Sequence, residues 1–455
     1  MRYFLDPFGC AKNQVDGENM MALLDQAGWS ACDDAGEADL IIVNSCGFIQ
    51  SAKQESINAV IAWKRRYREK KILLAGCLAE RYGRELAESL PEADGLLGSG
   101  AWDRVAQAAS ELTGVPAPSA AALSAAAWGE RPLTGFPGSA YIKISEGCDN
   151  NCGFCAIPLI RGRLRSRRMD EIAGECAALL GRGVKELCFI GQDLASYGKD
   201  FTVSGGTRGA AGESPSPLRL LLDKIAGLRG HFWARLLYLH PDHLPPDILD
   251  LMERDERFLP YFDIPFQHAS PSVLAAMGRS GSAETYLALL DTIRKRLPSA
   301  VIRSTFLVGF PGETEADFER LLDFQHKARF DWLGVFAYSR EEGTAACGLK
   351  GRVGKKIAVE RKARVEEAQG PVSEKQSERF VGRGLEVLVE EKITAGGAGE
   401  SSADIYLGRL YCHAPEVDGA AVIETGPVSR RGIVPGGLYP CTVTGRAGFD
   451  LRVTL

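Results

Sequence analysis

Residues 145–158 read SEGCDNNCGFCAIP and place Cys148, Cys152 and Cys155 in a C-x3-C-x2-C array. Thiolates are soft ligands that suit iron–sulfur clusters and zinc. Three of them from one short loop can hold three irons of a cubane 4Fe-4S cluster and leave the fourth iron open. A structural zinc site wants four closed ligands, and the next cysteine, Cys176, sits in a helical pattern downstream. An open iron is what chelation of a small molecule's amine and carboxylate requires. Cys10, Cys46 and Cys77 form a second set. They are far apart in sequence, yet each falls close to the end of a candidate strand. In an open parallel sheet, ligand sites form beyond the carboxyl ends of the strands, so three loops there can bring three thiolates together. Small buried cysteines near strands are the plainer reading, and spacing alone does not decide between the two. Cys32, Cys176, Cys188, Cys347, Cys412 and Cys441 show no ligand spacing and read as core or surface residues.

The elements that must position these residues follow from hydrophobic pattern. Apolar runs at 3–7, 39–44 and 71–75 alternate with helical periods at 14–27, 51–70 and 80–89. Buried runs separated by helices argue for a parallel sheet covered on both faces. The helix at 14–27 reads as amphipathic. Residues 115–138 are rich in Pro, Ala and Gly and read as a linker. Candidate strands then recur at 141–144, 186–190, 233–239, 261–266, 302–308 and 332–338, with helices between them, among them 169–181, 217–228, 283–297 and 315–329. Six strand–helix units suggest a parallel barrel or part of one, with chemistry at the carboxyl ends of its strands. A polar helix at 355–379 leads to short strands at 385–390, 405–410, 421–424, 438–444 and 451–455, a small all-β module. The fold class is therefore α/β, with domains at 1–114, 139–371 and 372–455. The Gly/Ser-rich loop at 199–216 reads as a surface insertion.

The 455 residues are 45% hydrophobic and 25% charged, with a net charge of −5. These values suit a soluble globular chain. There is no signal-peptide pattern at the start and no apolar run of membrane-spanning length, so a cytoplasmic protein without a membrane partner is expected. Twelve cysteines there favour metal or redox use over a disulfide framework.

The first cysteine motif, with Phe154 just before its last cysteine, resembles the radical S-adenosylmethionine (SAM) superfamily. That resemblance implies a six-unit partial barrel and reductive cleavage of SAM to a 5′-deoxyadenosyl radical. It also implies cofactor contacts at Gln192, in the Gly191-Gln192-Asp193 stretch, at Phe154, and at Gly309, which opens the stretch GFPGE. The stretches FGCAKNQVD (8–16), NSCGFIQSAKQES (44–56) and AGCLAE (75–80) resemble the amino-terminal domain of radical SAM methylthiotransferases. In that family the three matching cysteines hold an auxiliary 4Fe-4S cluster that carries the sulfur to be inserted. Two clusters and SAM are the implied cofactors, and a flavodoxin or ferredoxin is the implied kind of electron donor. The all-β module looks like a TRAM domain.

One branch of the family modifies adenosine in tRNA, and the RimO branch modifies the β-carbon of an aspartate on the twelfth small-subunit ribosomal protein. KISEGC (143–148), YLHP (238–241), YFDIPFQHAS (261–270) and YCHAPEVDG (411–419) resemble the RimO branch, although FGCAKN replaces its usual LGCPKN-like start. Charge offers an independent check. Between residues 372 and 455 there are nine basic and eleven acidic residues, a net −2. Such a module is a poor phosphate binder and better suited to a basic ribosomal protein, so tRNA is disfavoured as the partner. A non-catalytic iron–sulfur sensor is the alternative from another class. Arg161, Arg163, Arg165, Arg167 and Arg168 follow the radical motif. They could face the active-site mouth or be paired to nearby acids. The cations of 64–71 end a helix, where its dipole favours them. His268 reads as a core histidine.

Overall fold

The computed structural model describes residues 1–118, 128–201, 215–393, 405–424 and 432–455. Strands Arg2–Pro7 (β1), Ser30–Ala31 (β2), Leu40–Ser45 (β3), Lys71–Gly76 (β4) and Gly95–Gly98 (β5) form a parallel sheet in the order β2-β1-β3-β4-β5. Helices Ala11–Gln26 (α1), Gln50–Arg66 (α2), Cys77–Ser89 (α3) and Val105–Thr113 (α4) cover it, with a separate apolar cluster on each face. The central strand β3 is buried along its whole length, as a continuous apolar run dictates.

Helix α1 departs from the amphipathic expectation. Met20, Leu23 and Leu24 pack on the sheet, while Ala11 and Val15 pack on the next domain. With both sides covered, Asn13, Asp16, Glu18 and Asn19 are buried as well. The end of α2 matches its dipole: Lys64, Arg65 and Arg66 occupy its last turn, and Lys64 pairs with Asp94 at 2.8 Å.

The second domain is a six-stranded parallel sheet of Ser139–Lys143 (β6), Glu186–Ile190 (β9), Trp233–Leu236 (β10), Phe258–Asp263 (β11), Val301–Val308 (β12) and Trp332–Ala337 (β13), in the order β13-β12-β11-β10-β9-β6. Between β6 and β9 lie a short antiparallel pair, Ser145–Glu146 (β7) with Arg165–Ser166 (β8), a one-turn helix Ile157–Ile160 (α5) and the helix Met169–Gly181 (α6). Helices Pro217–Ala226 (α7), Asp247–Arg254 (α8), Pro271–Ala276 (α9), Ala283–Arg296 (α10) and Glu315–Ala328 (α11) complete the repeat, and Lys355–Ser377 (α12) follows. The loop at 199–216 lies largely outside the described residues.

Strands Gly384–Ile393 (β14), Ile405–Arg409 (β15), Ala421–Glu424 (β16), Leu438–Ala447 (β17) and Asp450–Thr454 (β18) close into a barrel. This barrel packs against the sheet face turned away from the helices, where Tyr141, Ile190, Leu237 and Tyr261 meet Val387, Leu410 and Leu451. Buried ion pairs join the same surfaces. Glu186 accepts from Arg235 Nε at 2.7 Å and from Arg409 Nη2 at 2.5 Å, and these cations hold its carboxyl down at about 2 against the pull of burial.

Asp418 accepts from Tyr261 Oη at 2.5 Å and from the Ala414 N–H at 2.8 Å. Burial outweighs Arg303 and pushes its carboxyl up to about 6. A folded-state pKa above the unfolded value gives stability that is present below the unfolded pKa and lost as pH rises through about 6. Asp418→Asn should remove that dependence. Its unfolding midpoint should rise by a few degrees above pH 7 and stay unchanged near pH 4, as read by scanning calorimetry.

The described part of the segment read as a linker is packed. Arg131 is fully buried and donates to Glu18 of α1 at 2.9 Å, to Glu175 of α6 at 2.5 Å and to the carbonyl of Tyr141 at 2.6 Å. This one guanidinium ties the first domain to the second.

Candidate active site

Cys10 caps α1, Cys46 follows β3 and Cys77 opens α3 after β4, so all three stand beyond the carboxyl edge of the first sheet. Glycines let these loops touch. A Cβ on Gly9, whose φ is +99°, would lie 3.1 Å from Cys46 Cβ, and one on Gly47 would lie 2.5 Å from the Cys77 carbonyl oxygen. The three cysteine-bearing loops therefore touch one another at these glycines. Cys10 is exposed, and Arg161 of the second domain lies close enough to act on its thiol.

The electrostatics of the three thiols differ. Burial works to raise Cys10, but Lys12, Arg161 and the N–H groups of Asn13 and Lys12 outweigh it and move its pKa down. Burial pushes Cys46 up, and Cys77 to about 11. Thiols held neutral in the metal-free chain must release protons when they take a metal.

The second trio lies beyond β6, at the carboxyl ends of the barrel strands. The Cys155 N–H donates to the Cys152 carbonyl at 2.9 Å, and the Cys148 N–H to Gly162 at 3.1 Å. Two thiols receive backbone N–H groups, Cys148 from Asn150 and Cys155 from Ile157, each at 3.4 Å. Burial raises Cys148 to about 11 and Cys155 to about 12. Donors already aimed at these sulfurs favour bound thiolates over free thiols. Among the described residues, no three Cys, His, Asp or Glu side chains converge as the ligands of one ion do. A cubane takes one thiolate at each iron, which spaces them farther apart than the ligands of a single ion.

The two trios are neighbours. Cys77 packs with Phe48, Ala156 and Ile160, the residues that follow Cys46 and Cys155. Arg161 joins the sites: its Nη2 donates to Cys77 Sγ at 3.2 Å, and its Nη1 to Asp16 at 2.9 Å and to Glu146 at 2.7 Å. Lys143 bonds the same two acids, lying 2.6 Å from Glu146. Sequence reasoning did not assign these contacts, because Arg161 and Asp16 lie in different domains. Of the arginine run, Arg161 and Arg167 turn inward to buried acids, Arg167 reaching Glu175 at 2.6 Å. Arg163, Arg165 and Arg168 are exposed, and Arg163 bonds Asp149. His268 is fully buried and accepts from the Ser270 N–H at 3.0 Å, a core residue as expected.

The residues expected to meet the cofactor lie on loops that follow the strands of the second domain. Gln192 donates to Glu146 at 3.4 Å, leaving its Oε1 buried without a partner, as is Ser145 Oγ. Phe154 lines a cavity of about 280 Å³ together with Phe48, Ile49, Leu307, Phe336 and Tyr338. The Tyr338 hydroxyl is also buried without a partner. An apolar slot with an orphaned hydroxyl on its wall fits a ligand that brings a flat ring and a polar group. Gly309 has its N–H taken by Glu313 at 2.6 Å and lies against α12, where a Cβ would meet Ala358 at 2.4 Å. Arg279 was not anticipated. Its guanidinium lies 5.9 Å from the centre of the Phe154 ring, and its Nε lacks a partner.

The sequence matches the uncharacterized protein family UPF0004 over residues 2–98, the radical SAM superfamily over 142–324 and the TRAM domain over 381–455. A ribosomal protein uS12 methylthiotransferase RimO from Treponema denticola is 46% identical, with 98% of this chain and 99% of that protein covered. A protein of the same name from Desulfosudis oleivorans is 40% identical, with 99% of each covered. Among solved structures, the radical SAM methyltransferase TsrM from Kitasatospora setae, with cobalamin and a [4Fe-4S] cluster bound, shares the fold at a TM-score of 0.55 and 13% identity, over 76% of this chain and 73% of that one. With similarity of that degree along nearly its full length, this chain belongs to the RimO family of radical SAM methylthiotransferases.

Proposed function

We propose that this chain installs a methylthio group on the β-carbon of an aspartate in small-subunit ribosomal protein uS12. The observation that carries the reading is that Cys77 of the first trio bonds Arg161 and packs on Ala156, the residue after Cys155 of the second. Cys148, Cys152 and Cys155 would hold one 4Fe-4S cluster, and Cys10, Cys46 and Cys77 the other. When bound, these groups supply the electron that cleaves SAM and the sulfur that is transferred. The chain supplies binding, orientation and exclusion of water. Gln192 Oε1 and Ser145 Oγ, both buried without partners, would receive the methionyl ammonium, and the slot beside Phe154 would receive the adenine ring. Arg161 and Lys143, with Asp16 and Glu146, hold the two cysteine loops at fixed separation. The carboxyl-terminal barrel docks the protein substrate, and its net charge of −2 favours a basic partner over tRNA. An electron donor of the flavodoxin or ferredoxin kind completes the system. Among the described residues, no helix is long and apolar enough to cross a membrane.

Anaerobic assays with uS12 and with tRNA test the substrate. A methylthio mass gain is expected on the protein and none on tRNA, and the reverse result would overturn the reading. Cluster binding without release of 5′-deoxyadenosine under reducing conditions would favour a sensor instead.

A further inference from the structure

Among the described residues, the buried lysines and arginines of this molecule are paired with carboxylates, with one exception. Lys53 meets Glu341, Lys143 and Arg161 meet Asp16 and Glu146, and Arg131 meets Glu18 and Glu175. Arg235 and Arg409 share Glu186, and Arg361 meets Glu313. Lys12 has only 8% of its surface exposed and bonds no carboxylate. Its ammonium instead lies 3.3 Å from the centre of the Tyr238 ring. A buried charge without a carboxylate beside it is costly, and the negative groups the chain sets near this one are the Cys10 sulfur and the Tyr238 phenol. Tyr238 is built to hold it in place. Its backbone adopts φ +63°, a conformation that a non-glycine residue pays for in strain. Its N–H donates to Asp263 at 3.0 Å, which fixes that turn beyond β10. Lys12 is also two residues from Cys10, an exposed thiol. The first turn of α1 carries no acidic residue, and Cys10 gives it no side-chain cap, so the helix end adds positive potential at the same spot.

We propose that Lys12 binds the carboxylate of the aspartate to be modified, and so selects an acidic side chain at the reacting position. This inference rests on the substrate reading above. The ammonium would grip the carboxylate beside the cysteine trio and hold the neighbouring carbon at a fixed place. An uncharged asparagine in the same sequence would leave the charge unpaired.

The test uses anaerobically purified holoenzyme and two fluorescent peptides carrying the uS12 target loop, one with its aspartate and one with asparagine there. Fluorescence anisotropy reads the affinity, and iron analysis reads cluster content. The parent should prefer the aspartate peptide by about 100-fold. Lys12→Met and Lys12→Gln should keep their iron and bind both peptides alike, at the parent's affinity for the asparagine form. Lys12→Arg should keep most of the preference. Full retention of the preference in Lys12→Met would overturn the proposal. So would loss of iron from both neutral variants, because Lys12 would then serve the metal rather than the substrate. A parent that binds neither peptide would instead sink the substrate reading itself.

Discussion

Cys46→Ser should abolish sulfur insertion while leaving release of 5′-deoxyadenosine close to the parent rate. The loss of methylthio product should exceed about 100-fold, beyond what a change behind the ligands usually costs. Iron per chain should fall from about eight to about four, because one cubane loses its third corner. Cys148→Ser should also bring the iron to about four, yet abolish both 5′-deoxyadenosine and product. The contrast follows from geometry. Cys46 approaches Gly9 in the first domain, whereas Cys148 sits in the loop beyond β6, where its N–H bonds the Gly162 carbonyl. Anaerobic iron analysis with mass spectrometry of the nucleoside and the peptide checks both. Two variants with the same product profile would refute the division of labour between the trios.

Arg131→Met should give the largest loss of stability. Arg131 is fully buried, and its removal leaves Glu18 and Glu175 as buried carboxylates short of a partner. Breaking a buried ion pair from one side costs about 3–5 kcal/mol. Arg167 still pairs with Glu175, but among the described residues Glu18 pairs with no other cation. The unfolding midpoint should drop by about 5–10 °C. Limited proteolysis should then cut first between residues 114 and 139, since that guanidinium anchors the connection. A midpoint within a degree of the parent would show that the two domains are held together by other contacts.

How much of this was legible in the sequence depended on how local each signal was. The C-x3-C-x2-C array lies within one loop, and strand Glu186–Ile190 and helix Met169–Gly181 matched their apolar patterns residue for residue. Gly95–Gly98 escaped because a four-residue stretch with glycine at both ends carries no strand signal. Asp247–Arg254 escaped because prolines just before it suggest a loop. The meeting of Cys10, Cys46 and Cys77 could be expected from strand ends but needed resemblance to decide it. Lys12, Arg131 and Arg161 were beyond reach for a different reason. Each acts on a partner in another domain or on a group outside the chain, and no spacing rule encodes that.

The seating of the carboxyl-terminal barrel bears on how the enzyme is made. Residues 372–455 leave the ribosome after the two domains that precede them, roughly ten seconds later at ordinary elongation rates. Until then Tyr141, Ile190, Leu237 and Tyr261 present a bare apolar surface, and Arg235 and Glu186 await Arg409. Both sets of cysteines have been synthesised by that time. The nascent protein therefore passes through a form whose apolar sheet face is uncovered, the stage at which a chaperone is most needed.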